Sequence, residues 1–138
     1  MYKEASLEKY LDDLAAKLPA PGGGSAAALN AAMAASLVSM VVNFTLGNPK
    51  YAAFQTELNE ILSKSEKLRK DFLDLVDLDV VAYQTKDIRK ALDVPLALAR
   101  LCCQAAELCP PLIKKGNIDS KINKPFIYKI AVVSKANP

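Results

Sequence analysis

Apolar residues recur at helical spacing along most of this chain. Leu7, Leu11, Leu14 and Leu18 share one face, Ser6 stands where a cap belongs, and Glu8 sits in the opening turn. These features predict a short amphipathic helix that ends at Pro19. The next stretch, Leu18 to Pro49, holds no charged residue. Pro19 and Pro21 stop the preceding helix, Gly22-Gly23-Gly24 free the backbone, and Ser25 is placed as an N-cap, so a second helix is expected from about Ser25 to Leu46. Gly47-Asn48-Pro49 is its stop signal.

Alanines and serines fall in rows four apart on this second helix: Ala27, Ala31, Ala35 and Ser39, with Ala28, Ala32 and Ser36 alongside. Such rows let a neighbouring backbone come close. A membrane span is the competing reading of so uncharged a stretch. Alanine is only weakly apolar, Asn30 and Asn43 would be costly in lipid, and no basic flank marks an orientation. A buried helix in a soluble bundle, with no membrane partner, is therefore expected.

From Lys50 to about Thr85 the pattern is long and helical. Phe54, Leu58, Ile61, Ser65, Leu68, Phe72, Leu75, Asp79 and Ala82 alternate spacings of four and three, the signature of a packed seam. Asp79 is the carboxylate in that seam, where loss of water would favour its neutral form and suit it to proton transfer. It could equally lie beyond the packed part of the seam or cap a neighbouring helix. Asp71, Asp74 and Asp77 lie off the seam, where they can be solvated. Lys86 to Asp93 reads as surface, and Val94-Pro95 as a kink or a new start. Leu96, Ala99, Cys102 or Cys103, Ala106 and Cys109 then continue at helical spacing to Pro110-Pro111. The cysteines are most simply small core residues, since no cation or histidine is arranged to activate a thiol. After Gly116-Asn117 the character changes, and Pro125 to Val133 is β-branched and aromatic with no partner strand.

Composition supports helices. The 138 residues suit one domain with an aliphatic core, because aromatics make up 7% and Trp is absent. The fold expected is all-α, an up-and-down bundle of long antiparallel helices over 1–117, followed by a divergent basic tail over 118–138 that is irregular or poorly ordered. Residues 114–138 hold six lysines against Asp119, whereas the whole chain carries a net charge of +3. The rest is thus slightly acidic, and the basic excess is too sparse and arginine-poor to argue for nucleic acid. With no histidine, Ser-His-Asp and Cys-His arrangements and His-containing zinc sites are excluded within one chain. Three cysteines without metal spacing, and no recognisable signal peptide, place the chain in the reducing cytoplasm.

The glycine run lacks the Lys-Ser/Thr ending of a Walker loop and follows no predicted strand. On local physics it is a helix-starting turn, or else a seat where exposed amides hold an anionic group while an acid elsewhere does chemistry.

The ordered set as a whole resembles the formiminotransferase-cyclodeaminase C-terminal family. It comprises Pro19-Ala20-Pro21-Gly22-Gly23-Gly24-Ser25-Ala26-Ala27-Ala28, Gly47-Asn48-Pro49-Lys50-Tyr51, Val76-Asp77-Leu78-Asp79-Val80-Val81-Ala82-Tyr83 and Val94-Pro95-Leu96-Ala97-Leu98-Ala99. The resemblance implies a dimer-forming helical enzyme of one-carbon folate metabolism, either a formiminotetrahydrofolate cyclodeaminase or a methenyltetrahydrofolate cyclohydrolase, working without metal or added cofactor. Asp79 matches the acidic catalytic position of the Asp-x-Asp-x-x-Ala-aromatic motif, which ends at Tyr83, with Asp77 as the alternative. Pro21 to Ser25 match the signature near the folate, and Gly116-Asn117 match a Gly-Asn pair. Two departures stand out. The stretch between Tyr83 and Val94 is shorter than the family pattern, and Ile118-Asp119-Ser120-Lys121 replace the Ser-Asp that normally follows Asn117. They leave open a non-catalytic dimerisation or folate-binding remnant.

Overall fold

The computed structural model describes residues 1–86 and 88–117. Residues 118–138, including the β-like segment, lie outside the described residues. The described elements are all helical: α1 (Leu7–Ala15), α2 (Gly23–Thr45), α3 (Gln55–Gln84), α4 (Ile88–Glu107) and α5 (Cys109–Lys115), with 3-10 turns at Tyr2–Glu4 and Pro49–Phe54.

Two long helices make the frame. α2 packs along α3 for most of its length, with Ala28, Ala32, Ala35 and Ser39 buried at the contact, as the small-residue rows predict. Ser25 lies opposite Asp79 and Ser39 opposite Ser65, so the two helices run antiparallel. The Ser39 and Ser65 hydroxyls hydrogen-bond each other at 2.8 Å in the buried contact, satisfying two polar groups that small side chains bring there. On α3 the expected seam is buried at Leu58, Ile61, Ser65, Leu68, Phe72, Leu75 and Ala82. The turn after Gln84 places Lys86 at φ 53°, and α4 begins at Ile88.

Several boundaries differ from the sequence reading. α1 ends at Ala15 rather than running to Pro19, and it turns Tyr10 inward while Leu7, Leu11 and Leu18 are exposed. Ser6 does cap it, accepting the Lys9 amide. α2 starts two residues early, with Gly22 as N-cap and Ser25 inside the first turn. α4 starts at Ile88 and runs through Pro95. Proline removes one helical donor, and here the residues around it on the outer side, Ala91 and Leu96, are exposed. Cys109 is buried, and burial pushes its thiol up to about 11. Cys102 and Cys103 are exposed, contrary to their expected core role, because the far face of α4 has no described neighbour.

Gly23–Thr45 and Ala91–Lys115 are long and apolar enough to cross a membrane by length and composition. The first is the central helix of the bundle. Its C-terminal stop is as expected: Gly47 adopts φ +77°, a conformation that favours glycine.

Candidate functional site

The proline-glycine run and Asp79 are far apart in sequence, and the antiparallel α2–α3 pair brings them together. The Ala20-Pro21 peptide is cis, Pro21 is buried, and the chain enters α2 through Gly22. Asp79 reaches across from α3, and its Oδ2 accepts the backbone N–H of Ser25 at 2.9 Å. A first-turn amide has no acceptor within its own helix, so α3 supplies one. The positive end of the α2 dipole favours a carboxylate at this point. Asp79 therefore caps a neighbouring helix, one of the alternatives open on sequence. The anion seat expected at the glycine run is filled at Ser25 by the protein's own carboxylate.

Gly24 explains why the approach is possible. A β-carbon on Gly24 would stand 2.1 Å from Asp79 Oδ1 and 2.7 Å from its Cγ, whereas one on Gly22 or Gly23 would meet nothing within 4 Å. The requirement for glycine is thus specific to one of the three. Asp79 is half-buried. Its Oδ2 is held by Ser25, and its Oδ1 has no hydrogen-bond partner among the described residues. The amides of Gly23 and Gly24 likewise have no acceptor among those residues.

Behind this contact, Ser25 is fully buried and its hydroxyl shares a 3.0 Å hydrogen bond with the Tyr10 hydroxyl of α1. Tyr10 was missed on sequence because it sits beside the leucine stripe rather than in it. Its signal was the one aromatic ring on α1, apolar in body and able to bond a buried partner through its hydroxyl.

Asp77 behaves opposite to expectation. It is 6% exposed, not solvated. Two residues before Asp79 on a helix, it points to another side of α3, and the N-terminal segment covers that side. Tyr2 donates its backbone N–H to Asp77 Oδ1 at 2.7 Å. Tyr2 also stacks edge-on against Tyr10 with ring centroids 5.3 Å apart, and Lys3 pairs with Asp74 at 2.9 Å. Asp77 Oδ2 is buried without a partner among the described residues. Asp77 thus anchors the N-terminal segment, whose Tyr2 ring packs on the same Tyr10 that bonds Ser25.

Tyr83 lies one turn beyond Asp79 on α3 and is 61% exposed. Asn117 is not brought to this place. Its N–H bonds Thr45 Oγ1 at 2.8 Å, at the far end of α2, roughly 30 Å from Ser25 by helical rise. Of the expected set, one chain assembles Pro21, Gly22, Gly23, Gly24 and Ser25 with Asp79, and Tyr83 continues the same face.

A bundle in which a glycine-started helix is closed by a carboxylate from its antiparallel neighbour defines a class, and the comparisons with known proteins name it. The formiminotransferase-cyclodeaminase family model matches residues 6–87, more than half of the chain, and the chain belongs to that family. Methenyltetrahydrofolate cyclohydrolase of Methylorubrum extorquens is 35% identical over 137 aligned residues, covering 83% of this chain and 66% of that protein. Formimidoyltransferase-cyclodeaminase of Rattus norvegicus is 27% identical, covering 83% of this chain and 26% of that protein. The crystal structure of formiminotetrahydrofolate cyclodeaminase from Thermotoga maritima matches with a TM-score of 0.82 at 26% identity, over 99% of this chain and 78% of that one. This chain spans just under two thirds of the length of the first relative and about a quarter of the second.

Proposed function

We propose that this protein acts on a one-carbon tetrahydrofolate, as a cytoplasmic homodimer, through cyclodeaminase or cyclohydrolase chemistry in which Asp79 is the general acid/base. The observation that carries the reading is the seating of Asp79: one oxygen fixed by the Ser25 amide at 2.9 Å, the other unpartnered beside the glycine backbone. A carboxylate held this way is oriented without being used up, and Oδ1 is left to exchange a proton with a substrate group.

In the cyclodeaminase (a lyase), a folate nitrogen attacks the carbon of the protonated formimino group. Asp79 accepts the proton from the attacking nitrogen and returns it to the departing nitrogen, which leaves as ammonia. In the cyclohydrolase, the same carboxylate takes a proton from water as its oxygen adds to the methenyl carbon, then gives that proton to the ring nitrogen as its C–N bond breaks, while the new hydroxyl releases its proton to solvent and leaves the formyl product. Both reactions pass through a cationic methenyl carbon, which a fixed carboxylate stabilises electrostatically. No added cofactor is required by either scheme. Gly22 to Gly24 form the wall beside the folate, with buried Pro21 and Ser25 supporting it from behind and Tyr83 as a flanking aromatic surface. Asp77 is buried with one oxygen taken by the Tyr2 amide, and Asn117 lies at the other end of α2 in one chain, so Asp79 rather than Asp77 is assigned the proton transfer.

The test is to mix folded, purified protein with methenyltetrahydrofolate and, separately, with formiminotetrahydrofolate, and to follow the methenyl chromophore. Its loss marks hydrolysis and its appearance marks deamination. No change above buffer in either mixture rejects the enzyme reading. Folate binding without turnover would instead support the non-catalytic module that the shortened stretch before Val94 keeps open.

A further inference from the structure

The face of α2 turned away from α3 carries Ala26, Asn30, Met33, Leu37, Met40 and Phe44, alternately four and three residues apart. Met33 and Phe44 are 51% and 63% exposed. Asn30 is exposed, and Ala26, Leu37 and Met40 are half-buried. The spacing is that of a helix–helix seam, and one asparagine in such a seam fixes register.

The order of sizes decides how two such seams would pair. The smallest residue stands at the N-terminal end and the largest at the C-terminal end. A parallel pair would set Phe44 on Phe44 and Ala26 on Ala26, crowding one end and leaving the other loose. An antiparallel pair about a two-fold near Ala35 sets Ala26 against the partner's Phe44, Asn30 against the partner's Met40, and Met33 against the partner's Leu37. Large then meets small along the seam, as close packing requires.

Charge agrees with that axis. α3 runs antiparallel to α2 with Ser65 level with Ser39 and Asp79 level with Ser25, so Glu66 and Arg69 stand level with the middle of the seam. They pair with each other at 2.5 Å and flank an open cleft of about 500 Å³ beside Met40 and Phe44. A two-fold mate would bring a second Glu66–Arg69 pair to the same level, where opposite charges can alternate.

We propose that this face of α2 joins two copies antiparallel, and that the partner's Lys50 thereby completes the Asp79 site. The inference deepens the homodimer proposed above and rests on it. With Ala26 opposite the partner's Phe44, the residues just beyond Phe44 come level with those just before Ala26. The partner's 47–50 turn therefore reaches the Gly22–Gly24 entrance. Lys50 is exposed, and its Nζ lies 5.4 Å from the Tyr51 ring centroid with no carboxylate partner among the described residues. It would bring to the entrance a cation able to hold an anionic group of the substrate.

Disulfide trapping tests the arrangement without using turnover, so its outcome is separate from that of the folate assay. Exposed Cys102 and Cys103 are first replaced by serine. On that background Ala26→Cys/Phe44→Cys, and separately Gly23→Cys/Lys50→Cys, should give cross-linked dimers on mild oxidation, while Phe44→Cys alone should not. Within one chain each pair is too far apart along α2 to bond. Circular dichroism checks that the variants fold. Phe44→Asp should sediment as a monomer where the parent is a dimer. A monomeric parent, ready cross-linking by Phe44→Cys alone, or failure of the Gly23/Lys50 pair while the Ala26/Phe44 pair is trapped would each overturn the proposal.

Discussion

Asp79 occupies the space that a side chain on Gly24 would need: a β-carbon there would meet its Oδ1 at 2.1 Å. One glycine of three is therefore bound to the carboxylate by geometry, and its neighbours are not. Gly24→Ala should displace the carboxylate from the Ser25 amide, lowering turnover at least about tenfold, the scale on which misplaced catalytic groups act. Gly23→Ala, with no protein atom within 4 Å of the added carbon, should keep the Ser25–Asp79 contact, cost turnover less than Gly24→Ala does, and stabilise by up to about 1 kcal/mol because alanine is the better helix former. Turnover and urea midpoints of the two variants compare the two effects, and equal losses of turnover would refute the distinction.

Asp77 should be a structural residue. Its buried Oδ1 accepts the Tyr2 amide, so Asp77→Ala frees the N-terminal segment and should cost about 1–3 kcal/mol. Asp77→Asn keeps an acceptor oxygen and should cost less. Both should retain turnover per folded molecule. Urea denaturation, with amide exchange at Tyr2 as the local probe, measures the first claim, and loss of turnover in a stable Asp77→Asn protein would contradict the second.

Acid should weaken two surface ion pairs. The Arg69 guanidinium and then the Ser39 hydroxyl hold the Glu66 carboxyl below its ordinary 4.5, and the Lys9 ammonium and the Tyr2 hydroxyl hold Asp13 below its ordinary 3.8. A folded pKa below the unfolded value contributes stability above the unfolded pKa, and that stability is lost as pH falls through the folded one. Both groups are partly solvated, so the effect is small. The denaturation midpoint of the parent should fall more steeply from about pH 5 to about pH 3 than that of Glu66→Gln/Asp13→Asn. Parallel curves would refute the assignment.

Where periodicity alone decides, the chain is legible. The α3 seam from Leu58 to Ala82, the alanine face of α2 and the Gly47 stop all follow from spacing and residue type. The Ser25–Asp79 contact was half legible: each partner could be singled out, but their meeting depends on the antiparallel register of α2 and α3, which no local pattern states. Asp77 was misread because solvation was judged from its own helix, while the segment around Tyr2, distant in sequence, covers that side. Ser25 was misread as a cap because helix propensity rules place a hydroxyl there, whereas Asp79 provides the acceptor from outside. Leu7, Leu11 and Leu18 form a face that one copy of the chain leaves exposed, so amphipathicity correctly marked a helix without identifying what it meets.

The most direct test of the account is the methenyl chromophore assay on the parent, Asp79→Asn and Asp77→Asn side by side. Asparagine at 79 keeps an oxygen for the Ser25 amide, so the variant should fold, but it cannot carry the proton. The account predicts turnover in the parent, a loss of at least about a hundredfold in Asp79→Asn, and near-parental turnover in Asp77→Asn. An Asp79→Asn protein that turns over like its parent would contradict it.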